Sequence, residues 1–172
     1  MLGLCPNCEV TGPVGMPCLS PTCAQRRIHL IPSPDAVRHK NAFAPEALVG
    51  CFVGEFLIIR SLDKGGFGRV LLGLQRPLFV LRGAVKLLQL ERQKPNLRDT
   101  ILGKFENEAR VLAQVRHENV VRLLQYGRCL DPERTPFLVM EFIAGARTLT
   151  TETGLRGLRQ ERFELATLRR IV

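Results

Sequence analysis

A glycine-rich stretch with a lysine downstream constrains the fold of this 172-residue chain most strongly. Residues 62–70 read Leu-Asp-Lys-Gly-Gly-Phe-Gly-Arg-Val, and apolar, largely branched or aromatic residues flank them at 52–59 and 70–74. These flanks predict two antiparallel strands joined by a glycine turn. Such a turn can approach a phosphate closely, because no glycine side chain stands between the backbone N–H groups and the anion. Lys86 lies in the next apolar segment, which predicts a third strand carrying a cation towards the same phosphate.

A helix with a glutamate completes this pattern. Residues 104–115 have apolar side chains at 105, 109, 112 and 115, a spacing that predicts one buried helix face, and Glu108 lies within this stripe. Taken alone, the glycines suit an ordinary hairpin turn, and Lys86 or Glu108 suits a solvated surface position. The three features in register favour a nucleotide site over these separate explanations.

These segments resemble the protein kinase family. The family loop, Gly-x-Gly-x-Phe-Gly-x-Val, is matched at four later positions, namely Gly65, Phe67, Gly68 and Val70. Asp63 stands where the family has its first glycine, and its negative charge would weaken the affinity for an anionic nucleotide. Residues 83–86, Gly-Ala-Val-Lys, resemble the family's Val-Ala-Ile-Lys.

The resemblance continues beyond the lysine. Glu108 matches the helix glutamate that pairs with this lysine in the family, and residues 117–123 resemble the His-Pro-Asn-Ile-Val segment. Residues 137–145 resemble the fifth strand and the hinge, with Met140 at the gatekeeper position. The backbone of Glu141 and of Ile143 would then face the adenine edge.

The resemblance implies a bacterial serine/threonine-type kinase and covers about residues 52–172. We expect an α+β fold, in which a kinase-like small lobe, with a five-stranded antiparallel sheet and one helix, precedes the first helices of a large lobe. Lys86 and Glu108 would be the catalytic pair. The residues implied to bind ATP are Leu62, Gly65, Gly66, Phe67, Gly68, Val70, Ala84, Lys86, Met140, Glu141 and Ile143.

The family's catalytic His-Arg-Asp and Asp-Phe-Gly segments are absent from the sequence. Phosphoryl transfer needs carboxylates that orient the attacking hydroxyl and hold Mg²⁺. We therefore expect a truncated kinase or a fragment that is inactive alone and lacks the Mg²⁺ ligands, while the complete protein transfers the γ-phosphate of ATP to protein hydroxyls. Tyrosine specificity stays open. The alternatives are a short pseudokinase-like module and a zinc-ribbon binding protein, both without catalysis.

Residues 1–31, here called the cysteine segment, form a separate pattern. Its cysteines are spaced Cys-x2-Cys, nine residues, Cys-x4-Cys, at Cys5, Cys8, Cys18 and Cys23. Two close thiolate pairs can converge on a tetrahedral structural Zn²⁺, as in a small zinc ribbon. His29 is expected to be structural, since four cysteines fill such a site. A disordered tail with reduced cysteines and a pair of disulfides are the alternatives.

Prolines and mixed charges without periodicity predict a linker at residues 32–49. The kinase-like domain would follow at 50–172, with the small lobe reaching about residue 145 and the start of the large lobe at 146–172. A basic helical stretch is expected from residue 155.

Composition limits the other function classes. The formal charge of +9 suits nucleic acid, but the basic residues are dispersed and there are one Tyr and no Trp, so we rank nucleic acid low. No stretch reaches the ~18 apolar residues of a membrane span, and no secretory signal is visible. We expect a cytoplasmic protein whose partners are ATP and, in the complete kinase, a protein substrate.

Overall fold

The computed structural model describes residues 1–65, 68–129 and 134–145. Two short 3-10 helices, Leu90–Arg92 and Pro95–Leu97, precede the longest helix. The strands and α-helices of the described residues are, in chain order, β1 (Leu2–Leu4), β2 (Thr11–Pro13), α1 (Pro21–Gln25), β3 (Ile31–Pro32), α2 (Ser33–Lys40), β4 (Phe52–Val53), β5 (Phe56–Gly65), β6 (Gly68–Gln75), β7 (Arg82–Leu88), α3 (Arg98–Gln114), β8 (Leu123–Arg128) and β9 (Pro136–Glu141).

The chain divides into two compact units. The first comprises residues 1–116 and 120–142 and contains every element named above. The described part of the second comprises residues 117–119 and 143–145. Within it, the Asn119 N–H donates to Nδ1 of His117 at 3.1 Å.

An antiparallel sheet of six strands, in the order β4-β5-β6-β7-β9-β8, forms the main layer of the first unit. The predicted α+β architecture is confirmed, and its five expected strands are β5 to β9. The strand predicted over residues 52–59 is instead broken in two, so that β4 folds back on β5. Gly54 makes this turn at a φ of +55°, a conformation that favours glycine.

Apolar side chains from β5, β6, β7 and β9 bury one face of this sheet. Phe56, Leu71, Val85 and Val139 are completely buried there. Each such side chain contributes about 1.5–3 kcal/mol through its removal from water. The strand sequences are rich in branched residues because these side chains pack well on a pleated surface.

Helix α3 packs against the other face of the sheet. Phe105 and Ala109, one turn apart, are buried with Leu88 of β7 and Leu138 of β9. The helix ends at Gln114, and Val115 has an extended backbone, so the predicted apolar stripe is wrong at its last position. The part that is buried fixes the helix next to β7.

The segment predicted to be a linker contains helix α2. Pro34 lies in its first turn, where a missing N–H costs nothing, and Asp35 follows it. Arg38 and Lys40 lie in the last turn, where their positive charges complement the helix dipole. One apolar side chain, Ala36, is buried and ties the helix to the core.

The cysteine segment forms a three-stranded antiparallel sheet, β2-β1-β3, with helix α1 beside it. Its Val14 and Ile31 belong to the same buried cluster as Val53, Phe56 and Ile58 of the main sheet. A continuous apolar core therefore joins this segment to the six-stranded sheet.

None of the described helices is both long and apolar enough to cross a membrane. The helical stretch expected from residue 155, like all of residues 146–172, lies outside the described part of the chain.

Candidate functional site

The register of the central strands brings several predicted residues to one face of the sheet. Val70 of β6 lies opposite Lys86 of β7, while Ala84 is paired with Leu72 on one side and Met140 of β9 on the other. Side chains alternate along a strand with a period of two. Val70, Ala84, Lys86 and Met140 therefore share the face on which α3 packs.

Lys86 and Glu108 form an ion pair on this face. Nζ of Lys86 lies 2.8 Å from both carboxylate oxygens of Glu108. It also lies 5.8 Å from the centre of the Phe105 ring, within range of a cation–π contact. The two side chains are 33% and 39% exposed, so solvent screening limits the pair to about 1 kcal/mol or less. The pair thus positions the ammonium group more than it stabilises the fold.

A cavity of about 440 Å³ opens beside this pair, between the β5–β6 hairpin, β7 and α3. We call it the lysine cavity. Its lining residues are Asp63, Gly68, Val70, Lys86, Leu87, Leu88, Ile101, Lys104, Phe105 and Glu108. Lys86 and Lys104 are balanced by the carboxylates of Asp63 and Glu108, so the lining residues carry no net formal charge. Apolar walls with a few polar groups suit a small-molecule ligand.

A β-bulge directs Asp63 into the lysine cavity. The pairing of β5 with β6 shifts between Ser61 and Asp63, so Leu62 is the extra residue and is 38% exposed. Asp63 is then directly opposite Val70, and opposed side chains point to the same face. The carboxylate consequently faces the same cavity as Lys86.

The structure describes only some of the other residues that were predicted to contact the nucleotide. Gly65 pairs with Gly68 at the end of the hairpin, whereas Gly66 and Phe67 lie outside the described residues. The N–H of Glu141 donates to the Arg122 carbonyl at 2.9 Å, so a contact from Glu141 to adenine would use its carbonyl oxygen. Ile143 belongs to the second unit and is 45% exposed.

The four cysteines of the cysteine segment converge on one point. Their sulfurs all lie within 4.8 Å of one another, with Cys5 to Cys23 at 3.8 Å and Cys8 to Cys18 at 3.3 Å. A tetrahedral site with Zn–S bonds of ~2.3 Å requires sulfurs about 3.8 Å apart. These separations exceed the ~2.05 Å of a disulfide bond, so the arrangement fits a metal better than two disulfides.

The surroundings of these sulfurs also suit thiolates held by a cation. Burial raises the pKa of the Cys5 thiol and that of Cys18, the latter to about 12. A hydrogen bond from the backbone of Val10 lowers the pKa of Cys8 to about 7. Asn7 donates its side-chain N–H to the Cys23 sulfur at 3.2 Å. Buried thiols with raised pKa values need a nearby positive charge to ionise, which a bound metal would supply.

His29 contacts the main sheet. Its Nδ1 lies 3.3 Å from the Gly50 carbonyl oxygen, and its ring meets that of Phe52 edge-on at 4.8 Å. The described metal-ligating cluster comprises the cysteines alone.

One charged pair near the lysine cavity was not predicted. Nη1 of Arg69, the residue after Gly68, lies 2.6 Å from Oε1 of Glu46 in the expected linker. The two residues are 23 positions apart, and neither belongs to a periodic pattern that could have indicated the contact.

The glycine hairpin, the lysine–glutamate pair and the sheet order define the small lobe of a protein kinase. A family model described as protein tyrosine and serine/threonine kinase matches residues 56–158. The chain belongs to this family, and the resemblance found in its motifs is confirmed.

The relatives of this chain include two serine/threonine kinases of one bacterium. The chain is 35% identical over 103 residues to the serine/threonine-protein kinase Pkn1 of Myxococcus xanthus, covering 60% of this chain and 14% of that protein. It is 36% identical over 102 residues to pkn2 of the same organism, covering 59% of this chain and 11% of that protein. The chain thus spans about a seventh or less of these two relatives.

Solved structures support the same fold. The M. tuberculosis PknI kinase domain matches with a TM-score of 0.53 at 20% identity, over 73% of this chain and 45% of that one. A structure described as the PpkA-294 apo form also matches with a TM-score of 0.53 at 20% identity, over 66% of this chain and 44% of that one.

Proposed function

We propose that this chain is the ATP-binding part of a cytoplasmic serine/threonine protein kinase. The observation that carries the proposal is the Lys86–Glu108 pair, held beside a cavity that the glycine-rich hairpin also lines. In the complete protein, the γ-phosphate of ATP would pass to a hydroxyl of a protein substrate. The bacterial relatives support serine or threonine as the acceptor.

The proposed roles follow from the position of each group. Lys86 would bind the nucleotide phosphates through its ammonium group, and Glu108 would hold that group in place. Val70, Ala84 and Met140 share the sheet face with Lys86 and would contact the adenine ring. Hydrogen bonds to the adenine edge would come from the backbone of the segment after Met140, as the family resemblance implies.

The same reasoning limits what this chain does alone. The sequence has no His-Arg-Asp or Asp-Phe-Gly segment, and carboxylates of those segments hold Mg²⁺ and orient the acceptor hydroxyl in kinases. We therefore propose that this chain binds the nucleotide, and that phosphoryl transfer and Mg²⁺ binding need residues of the complete protein.

We further propose a structural Zn²⁺ on Cys5, Cys8, Cys18 and Cys23. The mutual sulfur distances and the Asn7 hydrogen bond to Cys23 support it. A bound Zn²⁺ would stabilise the thiolates and close the cysteine segment into a fixed structure.

A nucleotide titration of the purified chain tests the ATP assignment. Lys86→Ala removes the ammonium group, so we expect ATP affinity to fall at least tenfold, since hydrogen bonds to charged groups contribute about 1.5–3 kcal/mol. Lys94→Ala, which alters an exposed lysine before α3, is the matched control and should bind like the unaltered chain. Equal ATP affinity of Lys86→Ala and the unaltered chain would refute the phosphate contact.

One observation favours the alternative of a pseudokinase-like binding module. Asp63 faces the lysine cavity at the position of the family's first glycine, and its carboxylate would repel phosphate. Absence of ATP binding at millimolar nucleotide, by a chain that is folded and zinc-loaded, would favour this module over the kinase proposal.

A further inference from the structure

Glu46 and Arg69 form an ion pair that is largely withdrawn from solvent. The Glu46 side chain is 3% exposed and that of Arg69 is 23% exposed, with 2.6 Å between Oε1 and Nη1. Nε of Arg69 is buried without a hydrogen-bond partner. The guanidinium therefore relies on Glu46 for compensation of its buried charge, and removal of the carboxylate charge would be unfavourable.

Arg69 lies within the strand that forms the edge of the lysine cavity. Its neighbours in β6, Gly68 and Val70, both line that cavity. Because side chains alternate along a strand, Arg69 points to the opposite face from Val70. Glu46 thus holds the outer face of the glycine-rich hairpin at the position where its inner face borders the candidate phosphate site.

Glu46 begins a turn that ends against the cysteine segment. The carbonyl of Glu46 accepts the N–H of Val49 at 3.1 Å, and the next residue, Gly50, accepts the N–H of His29 at 2.7 Å. Gly50 has a φ of +87°, and a Cβ at this position would lie 2.9 Å from Cγ2 of Ile28. The turn and the cysteine segment are therefore in direct contact.

The same stretch of the cysteine segment is hydrogen-bonded to two of the candidate metal ligands. The carbonyl of Ile28 accepts the N–H of Cys18 at 2.9 Å, and the N–H of Ile28 donates to the Cys23 carbonyl at 3.0 Å. Continuous contacts consequently lead from the metal centre through Ile28 and His29 to the turn, and from Glu46 to Arg69.

We propose that metal binding by the four cysteines orders strand β6 at the edge of the lysine cavity through the Glu46–Arg69 pair, which makes Glu46 a positioning residue for the nucleotide site. This inference rests on the proposed metal and nucleotide binding. Coupling between two sites is reciprocal, so the nucleotide should also raise the affinity for the metal.

Hydrogen exchange of β6 tests the coupling without nucleotide. We expect backbone amides of residues 68–75 to exchange about fivefold faster after Zn²⁺ is removed with a chelator, the low end of typical couplings between sites. Glu46→Gln keeps the size of the side chain and removes its charge. In this variant, β6 should exchange fast even with Zn²⁺ bound, and the chelator should have little further effect.

Glu55→Gln is the matched control for this experiment. Glu55 pairs with Arg76 at the other end of the β5–β6 hairpin, at 2.7 Å, but both side chains are about half exposed and lie away from the lysine cavity. This variant should retain the full zinc effect on β6. A zinc effect of equal size in Glu46→Gln and the unaltered chain, or no zinc effect on β6, would overturn the proposal.

Nucleotide binding supplies a second readout. With Zn²⁺ bound, Glu46→Gln should bind ATP about fivefold more weakly than Glu55→Gln, and ATP should raise the zinc affinity of the unaltered chain by a similar factor. If the unaltered chain binds no ATP, the proposed function fails, whereas the hydrogen-exchange result still decides the coupling. Equal ATP affinity of the two variants would contradict the positioning role of Glu46.

Discussion

Asp63 is the residue whose charge conflicts most directly with the proposed ligand. Replacement by asparagine keeps its size and removes a negative charge from the lysine cavity. At a separation of several ångströms in a partly exposed site, one charge is worth ~1 kcal/mol, so Asp63→Asn should bind ATP about fivefold more tightly. A titration at low ionic strength measures this best.

The control for this change is Asp99→Asn. Asp99 lies in the first turn of α3, is exposed and does not line the lysine cavity. The ATP affinity of the Asp99→Asn variant should stay within twofold of that of the unaltered chain. Weaker binding by Asp63→Asn would mean that Asp63 assists the ligand, for example by holding a cation beside the phosphates.

Single residues also show where sequence reasoning succeeds. Lys86 and Glu108 were predicted as partners because their motifs resemble those of the kinase family, in which this lysine pairs with a helix glutamate, and the structure brings the two side chains together. The direction of Asp63 depends on the bulge at Leu62, which one strand's sequence does not reveal. The Glu46–Arg69 contact depends on the path of the chain between distant elements, so no local pattern could indicate it.

Among the elements, the turn at Gly50 makes the most testable contact. Gly50→Ala would force a side chain into a positive φ and against Ile28, so we expect a loss of about 1–2 kcal/mol in the free energy of unfolding. Chemical denaturation of the zinc-loaded chain measures it.

Gly103→Ala is a control for which the free energy of unfolding should change in the opposite direction. It lies inside α3, and a Cβ there would meet nothing within 4 Å. Gly103→Ala should therefore stabilise the chain by about 0.5–1 kcal/mol through helix propensity alone. If Gly50→Ala were neutral, the close approach of the turn to the cysteine segment would be disproved.

Two elements differ from what the sequence predicted, namely helix α2, where a linker was expected, and the break between β4 and β5, where one continuous strand was expected. Helix α2 does carry start and stop signals, with Asp35 in the first turn and three basic residues in the last, but its prolines favoured a linker. The break between β4 and β5 has a weaker signal, because Gly54 inside an apolar run suits a continuous strand equally well.

For the whole molecule, removal of the metal should affect stability well beyond the cysteine segment. The shared core predicts that a chelator lowers a single unfolding midpoint, because Val14 and Ile31 pack with the main sheet. When the free metal concentration is about a thousandfold above the Kd, metal binding adds ~4 kcal/mol to the free energy of unfolding. For a chain of this size, loss of that contribution corresponds to a fall of roughly 10 °C in Tm. Differential scanning calorimetry with and without chelator measures it.

Cys8→Ser should reproduce the chelated state, while Cys129→Ser, outside the cluster, should keep the zinc-loaded midpoint. Two separate transitions, of which only the smaller one responds to zinc, would show that the cysteine segment unfolds independently. Zinc content near zero in protein purified without chelator would contradict the metal centre itself.

The shared core limits where the small lobe can be separated from the residues that precede it. The family match begins at Phe56, yet Phe56 is buried in a cluster that includes Val14, Ile31 and Ala36. A fragment cut at the family boundary would leave an apolar flank of the sheet open to water and would tend to aggregate. We therefore expect the small lobe of this protein to fold independently only when the cysteine segment is included, so the two would have to be inherited, exchanged or expressed together.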